Sequence, residues 1–173
     1  MHSFGLPLGV IYTFGAVGSL VAGYIPGRML EAGASIDQAR KRSMLVSALL
    51  VLPAAPLVLM AENYWIAVGL LGLTLAAHQG FSVNLFATVT DIVPADRVGT
   101  VVSFGAFCGN MAGMLVLQLA GRVLSATGSY APMFGLIAVS YLLALAWLHL
   151  LLPTLRPAGD DPVADLPAVR SCS

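Results

Sequence analysis

Five apolar stretches follow one another along the chain, and each is long enough to cross a lipid bilayer as a helix. A crossing takes about 20 residues, because the hydrocarbon core is about 30 Å thick and an α-helix rises about 1.5 Å per residue. A helix also satisfies its backbone hydrogen bonds within one segment, as lipid requires. The sequence therefore predicts an all-α, polytopic membrane protein with spans at residues 6–29, 43–61, 64–93, 98–123 and 131–152.

The composition supports this class. Hydrophobic residues make up 58% of the chain and charged residues only 9%, whereas soluble domains are nearer a quarter charged. The net charge is zero and no basic block occurs, so we expect no nucleic-acid partner. The sequence contains no metal-ligand spacing, nucleophile elbow or phosphate-binding loop, and we therefore expect no enzymatic activity, no cofactor and no metal.

Basic residues set the expected orientation. Residues 27–42 include Arg28, Arg40, Lys41 and Arg42, so the positive-inside rule places this loop in the cytoplasm. Alternation of the spans then leaves only Arg122, of the eight basic residues, near the outer face. We expect a multi-pass protein of the inner (plasma) membrane. Residues 1–152 form its transmembrane domain, and the proline- and aspartate-containing segment 153–173 forms a disordered cytoplasmic tail.

The third span is too polar for a helix surrounded by lipid, because unpaired polar groups in hydrocarbon cost free energy. On an ideal helix with about 100° between residues, its polar side chains fall into two roughly opposite sectors. Two polar faces predict a helix surrounded by protein or by a water-filled cavity. The polar residues of this segment, 75–94, are His78, Gln79, Ser82, Asn84, Thr88, Thr90 and Asp91.

Individual polar residues leave alternatives open. A single membrane histidine such as His78 is more often a hydrogen-bonded structural residue than a proton relay. Asp91, close to Arg97 in sequence, fits a helix-end and loop ion pair, a gate or a proton carrier. Tyr12 in the first span fits either packing or a cavity-lining donor. Asn110 in the fourth span bonds a neighbouring helix or faces a cavity.

Glycine spacing predicts close helix contacts. Gly105, Gly109 and Gly113 lie on one face of the fourth span, and the first span repeats the pattern with Gly15 and Gly18. Small residues of this kind let a neighbouring helix approach closely. Packing is the simpler interpretation, and a contact that slides or rocks is the alternative.

Several stretches resemble a known family. The run VIYTFGAVGSLVAGYIPGRML, the run AAHQGFSVNLFATVTDIVP and the run VGTVVSFGAFCGNMAGML are similar to the major facilitator superfamily. More narrowly, they resemble the hexuronate-transporter branch of its anion:cation symporters. The resemblance covers roughly residues 5–153. One position departs from the branch: similar proteins tend to have an aspartate where this sequence has Ala16, before Val17, Gly18 and Ser19.

The resemblance implies a twelve-helix transporter in which these five spans are helices eight to twelve, most of the carboxy-terminal half. It further implies a small anionic substrate, bound between the two halves, and a coupling cation, expected to be a proton. The missing amino-terminal half is then a required partner, and the lipid bilayer is the other. The implied substrate-binding residues are Gln79, Ser82, Asn84, Asn110 and Tyr12, and the implied gating or cytoplasmic-loop residues are Asp91 and Arg97.

The leading functional hypothesis is therefore proton-coupled symport of hexuronates or related sugar acids by alternating access. On this hypothesis, the sequence is a partial chain of the transporter. A non-transporting remnant of an interrupted transporter gene is the alternative. A small membrane enzyme or accessory subunit is the third hypothesis.

Overall fold

The computed structural model describes residues 5–156, and within that range the chain forms five long α-helices and one short 3-10 turn. All five helices are long and apolar enough to cross a membrane, which confirms the all-α architecture predicted for a polytopic membrane protein. Residues 157–173, most of the segment expected to be disordered, lie outside the described residues. The helices are α1 (Gly5–Glu31), α2 (Ile36–Leu57, continued by the 3-10 turn Val58–Met60), α3 (Tyr64–Ile92), α4 (Ala95–Thr127) and α5 (Ala131–Leu151).

Glycine and polar capping residues mark where these helices end and begin. Gly33 has φ +89° in the turn after α1, a conformation that costs glycine little. The Ser35 side chain then accepts a hydrogen bond from the Gln38 backbone N–H and caps α2, and the Asn63 side chain caps α3 in the same way. Since each cap satisfies a backbone donor that has no partner inside the helix, the connections between helices stay short.

Helices α1 and α3 pack side by side and run parallel, since Phe14 lies against Gly72 and, further along both helices, a Cβ added to Gly23 would lie 3.9 Å from Val83. Glycine makes the contact close: a Cβ atom added to Gly18 would lie 2.6 Å from the Cα of Ala76. One turn earlier, Phe14 packs on Gly72, where an added Cβ would lie 3.0 Å from its ring. The close packing predicted from the glycines of the first span is thus present at this interface.

A small hydrophobic core lies where α2 meets α3 and α5. Val51 and Ala55 of α2 and Ala77 of α3 are buried, and α5 covers them with partly buried side chains. Residues of α2 toward its beginning, such as Met44 and Ala48, are fully buried as well. Helix α2 is therefore the central element that joins α3 to α5.

Helix α4 stands away from this group. None of its residues is buried, and Cβ atoms added to Gly105, Gly109 or Gly113 would meet nothing within 4 Å. The close contact that this glycine stripe predicts therefore has no partner among residues 5–156. A connection of two residues, Val93 and Pro94, joins α4 to α3.

Candidate functional site

The polar segment of α3 meets three other helices rather than presenting all its polar groups to lipid. It reaches α1 and α2 through Asn84, α5 through His78, and the beginning of α2 through Asp91. These contacts involve three of the seven polar side chains of the segment, and Thr88 and Thr90 donate to backbone carbonyls of α3 itself. The remaining polar side chains, Gln79 and Ser82, are the ones still available for a ligand.

Asn84 is fully buried at the junction of α1, α2 and α3. Its Nδ2 lies 3.0 Å from the Ala22 carbonyl oxygen, 3.0 Å from the Ser43 hydroxyl and 2.9 Å from the Gly80 carbonyl oxygen. Its Oδ1 has no hydrogen-bond partner within the described residues. This placement gives the Asn84 amide nitrogen a role in joining helices, which differs from the expectation of an amide that faces the substrate.

His78 and Tyr141 form the polar contact between α3 and α5. The His78 Nδ1 lies 2.6 Å from the Tyr141 hydroxyl. The Tyr141 ring also packs edge-on against Phe81, with 5.3 Å between ring centroids. The structure thus supplies His78 with the hydrogen-bonded partner that a structural role requires.

Gln79, Ser82 and Tyr12 carry polar groups that make no side-chain hydrogen bond within residues 5–156. Gln79 and Ser82 are half-buried, and the Gln79 side chain lies beside α1, 3.6 Å from a Cβ added to Gly15. Tyr12, one turn before Gly15 on α1, is 68% exposed. These amide and hydroxyl groups can therefore donate to and accept from a polar ligand.

Asn110 is exposed on α4 and donates a 2.8 Å hydrogen bond to the Ala106 carbonyl of its own helix. Of the two alternatives for this residue, a bond to a neighbouring helix is absent within the part of the chain described. Two turns further on, Gln118, Arg122 and Ser125 line a shallow depression of about 680 Å³ on the same helix. The polar groups of α4 thus face open space rather than α1, α2, α3 or α5.

Asp91 pairs with Arg40, near the beginning of α2. The Arg40 Nε donates to the Asp91 Oδ2 at 2.8 Å, and the two side chains are only 12% and 21% exposed. The expected loop partner, Arg97, contacts Asp96 instead, at 3.7 Å and largely exposed to solvent. Asp91 is therefore part of an ion pair, as one interpretation predicted, but the pair joins two helices and does not involve the loop.

Lys41 ties α2 to the end of α5. Its Nζ lies 2.6 Å from the Asp37 Oδ1, 2.7 Å from the Leu152 carbonyl oxygen and 2.8 Å from the Pro153 carbonyl oxygen. The Leu155 backbone N–H in turn donates to the Asp37 Oδ1 at 3.2 Å. Residues 153–156 are thus held against α2 at the end of the bundle that bears Arg40, Lys41 and Arg42, which we call the basic end.

No group of three or more histidine, cysteine, aspartate or glutamate side chains in the described residues is placed to hold a metal ion. Comparison with known proteins does not assign the chain to a family, because no family model matches it and no curated protein matches it. The interpretation of the site therefore depends on its geometry.

Sequence reasoning missed three partners of the polar helix. Tyr141 and Ser43 lie in other spans, and Arg40 was interpreted only as a topology signal. Tyr141 and Ser43 are not the only polar residues of their spans, and the rotation of each helix decides which polar residue meets α3. A signal existed for Arg40 alone, since a carboxylate on the expected cytoplasmic side needs a basic partner there.

Proposed function

We propose that the chain is the carboxy-terminal part of a twelve-helix secondary transporter that carries a hexuronate or related sugar acid, together with a proton, by alternating access. The observation that carries this proposal is the set of polar groups on Gln79, Ser82 and Tyr12, which lie on packed membrane-type helices yet make no side-chain hydrogen bond within residues 5–156. Polar groups are costly in a membrane helix unless a partner or ligand satisfies them.

The chemistry of these groups fits part of such a substrate. Amides and hydroxyls provide neutral donors and acceptors that match the hydroxyl groups of a sugar acid. Its carboxylate needs a cation, however. The basic side chains of the described residues lie near helix ends, among them Arg28, Arg40 and Arg122. We therefore assign the carboxylate-binding cation, and the carboxylate that takes up the coupling proton, to the missing half of the transporter.

The contacts that join α1, α2 and α3 also fit the rigid-body movement that alternating access requires. The α1–α3 contact at Gly18, the Asn84 cluster and the Arg40–Asp91 pair join α1, α2 and α3. In the proposed cycle these helices move as one body, and the Arg40–Asp91 pair secures its cytoplasmic end. Arg97, 77% exposed at the beginning of α4, is then available to contact the opposite half when the cytoplasmic gate closes.

One observation fits a second candidate equally well, the non-transporting remnant. Helix α4 has no buried residue, so the isolated chain offers one wall of a cavity and leaves a whole helix without a packing partner in the described part. A chain in this condition fits a fragment that has lost its function as well as it fits one part of a working carrier.

Uptake by reconstituted vesicles tests both candidates. The 173-residue chain, and the longer protein read from any in-frame continuation upstream of Met1, are each placed in liposomes with an inward proton gradient and radiolabelled glucuronate. We expect the longer protein to accumulate glucuronate and a protonophore to abolish that accumulation. An upstream sequence without further spans, or a longer protein without uptake, would favour the remnant. Uptake by the short chain alone would exclude the remnant.

A further inference from the structure

A cavity of about 270 Å³ lies between α2 and α5 at the basic end. Its lining combines cationic or polar side chains with leucines: Lys41, Arg42, Leu45, Leu145 and His149. Leu45 follows Lys41 by one helical turn, and Leu145 precedes His149 by one turn. Since α2 begins and α5 ends at this end of the bundle, the polar groups lie at the surface level and both leucines lie one turn nearer the membrane centre.

Lys41 is not available to a ligand, although it lines the cavity. Its ammonium group has three N–H donors, and four acceptors surround it: the Asp37 carboxylate, the carbonyl oxygens of Leu152 and Pro153, and the His149 Nδ1 at 3.2 Å. The adjacent Asp37 carboxylate also balances its charge. The cavity therefore owes its anion-binding capacity to its other cationic and polar groups.

Arg42 and His149 supply that capacity. Arg42 is exposed and makes no hydrogen bond or ion pair within residues 5–156, so its guanidinium offers all five donors. The Lys41 ammonium can only donate, so the His149 Nδ1 accepts in their contact. A neutral His149 then carries its proton on Nε2 and has one further donor. The two residues that carry a cation and a ring N–H thus both line this mostly apolar cavity.

We propose that this cavity binds the phosphate of an anionic phospholipid, with Arg42 and His149 contacting the phosphate and the acyl chains lying along Leu45 and Leu145. The leucines favour a lipid over free phosphate, because a soluble anion gains nothing from apolar walls one turn below it. Basic pockets between membrane helices on the cytoplasmic side are suited to such headgroups. The site involves neither Gln79 nor Asp91, and it stands whether or not the chain transports a sugar acid.

Native mass spectrometry tests the proposal on the purified full chain. The chain is released from nanodiscs of phosphatidylcholine containing phosphatidylglycerol, and the phosphatidylglycerol molecules that remain bound are counted. We expect Arg42→Gln to lower this occupancy about fivefold, the loss expected of one direct hydrogen bond to the phosphate of about 1 kcal/mol. Arg42→Lys should retain most of the binding. Arg28→Gln is the control, because it makes the same change in net charge near the end of α1, at an exposed arginine whose ion-pair partner is Glu31, 3.1 Å away.

Further arms separate the site from its alternatives. His149→Leu removes the ring N–H and should lower occupancy about threefold, the loss expected of one hydrogen bond of about 0.7 kcal/mol. It also provides a second variant if circular dichroism shows that Arg42→Gln is misfolded. Equal losses from Arg42→Gln and Arg28→Gln would overturn the proposal, because they would indicate general charge attraction. Displacement of phosphatidylglycerol by millimolar inorganic phosphate would overturn the lipid assignment, and unchanged occupancy in its presence supports it.

Discussion

The Arg40 Nε donates a 2.8 Å hydrogen bond to the Asp91 Oδ2, and this ion pair joins residues 51 positions apart in the chain. The pair joins α2 to α3 at the basic end of the bundle, and both side chains are largely buried there. Removal of either partner leaves the other as a poorly solvated charge, which costs more than the pair itself contributes.

This pair should be energetically coupled. We expect Arg40→Ala and Asp91→Ala each to lower the free energy of unfolding by about 2 kcal/mol, with a coupling energy of about 1 kcal/mol or more in the double-mutant cycle. Circular dichroism of the purified chain during denaturation in detergent measures the free energy of unfolding of the two single variants and of the double variant. The same cycle on the exposed Arg97–Asp96 pair is the control and should give a coupling energy near zero. Equal coupling in the two cycles would contradict the role assigned to the buried pair.

The contact between α1 and α3 should not tolerate a side chain at Gly18. A Cβ there would lie 2.6 Å from backbone atoms of Ala76, so Gly18→Ala must push the helices apart, at a cost of about 1–3 kcal/mol. Gly113→Ala, where an added Cβ meets nothing within 4 Å, should be neutral or slightly stabilising, since alanine favours helices. Thermal unfolding of the two variants side by side measures the difference. Similar melting temperatures would exclude the close α1–α3 approach.

The Tyr141 hydroxyl should stabilise the α3–α5 contact through His78. Tyr141→Phe keeps the ring against Phe81 but leaves the His78 Nδ1 without this partner, and we expect a loss of about 1 kcal/mol. Tyr64→Phe removes the hydroxyl of a tyrosine that is 57% exposed and serves as the control. If His78→Ala abolishes the effect of Tyr141→Phe, the two groups act as a pair. An unchanged effect in that background would assign the loss to another partner of Tyr141.

The candidate ligand groups predict a ranking of transport variants. In the twelve-helix transporter proposed above, Gln79→Ala and Asn110→Ala should each raise the KM for glucuronate about fivefold, the value of one neutral hydrogen bond of about 1 kcal/mol. Thr90→Ala should leave uptake unchanged, because the single Thr90 hydroxyl proton already goes to the Ala87 carbonyl of its own helix. The Asn110 amide also bonds its own helix, but it keeps a second N–H and its oxygen for a ligand. Equal uptake by all three variants would refute the assignment of Gln79 and Asn110 to the substrate site.

The sequence predicted the five helices because span length and hydropathy are local properties. Each of the predicted spans coincides with an observed helix to within a few residues, apart from the beginning of α2. There the helix starts at Ile36, before the predicted start at residue 43, because Ser35 caps it and its first turns carry the charged residues of the expected loop. A hydropathy boundary marks where lipid begins, and a helix can start earlier.

The contacts between helices could not be predicted in the same way. Spacing places Asn84 and Gln79 in different polar sectors of one membrane helix. Neither spacing nor hydropathy indicates which sector joins three helices and which contains an amide without a side-chain bond. That difference depends on how α3 is rotated against α1 and α2. The Arg40–Asp91 pair shows the same limit, since inspection of sequence neighbours offered Arg97 as the partner.

The separation of α4 has a practical consequence for spectroscopy. Cys108 is exposed on this helix, and a probe attached to it would disturb no contact within residues 5–156. Cys172 would be replaced by serine, and a second spin label would be introduced near Leu59, at the far end of α2. Pulsed electron paramagnetic resonance could then measure the distance between this label and the one on Cys108 of α4. The native thiol would then report directly on where α4 settles once a further polypeptide is supplied beside it.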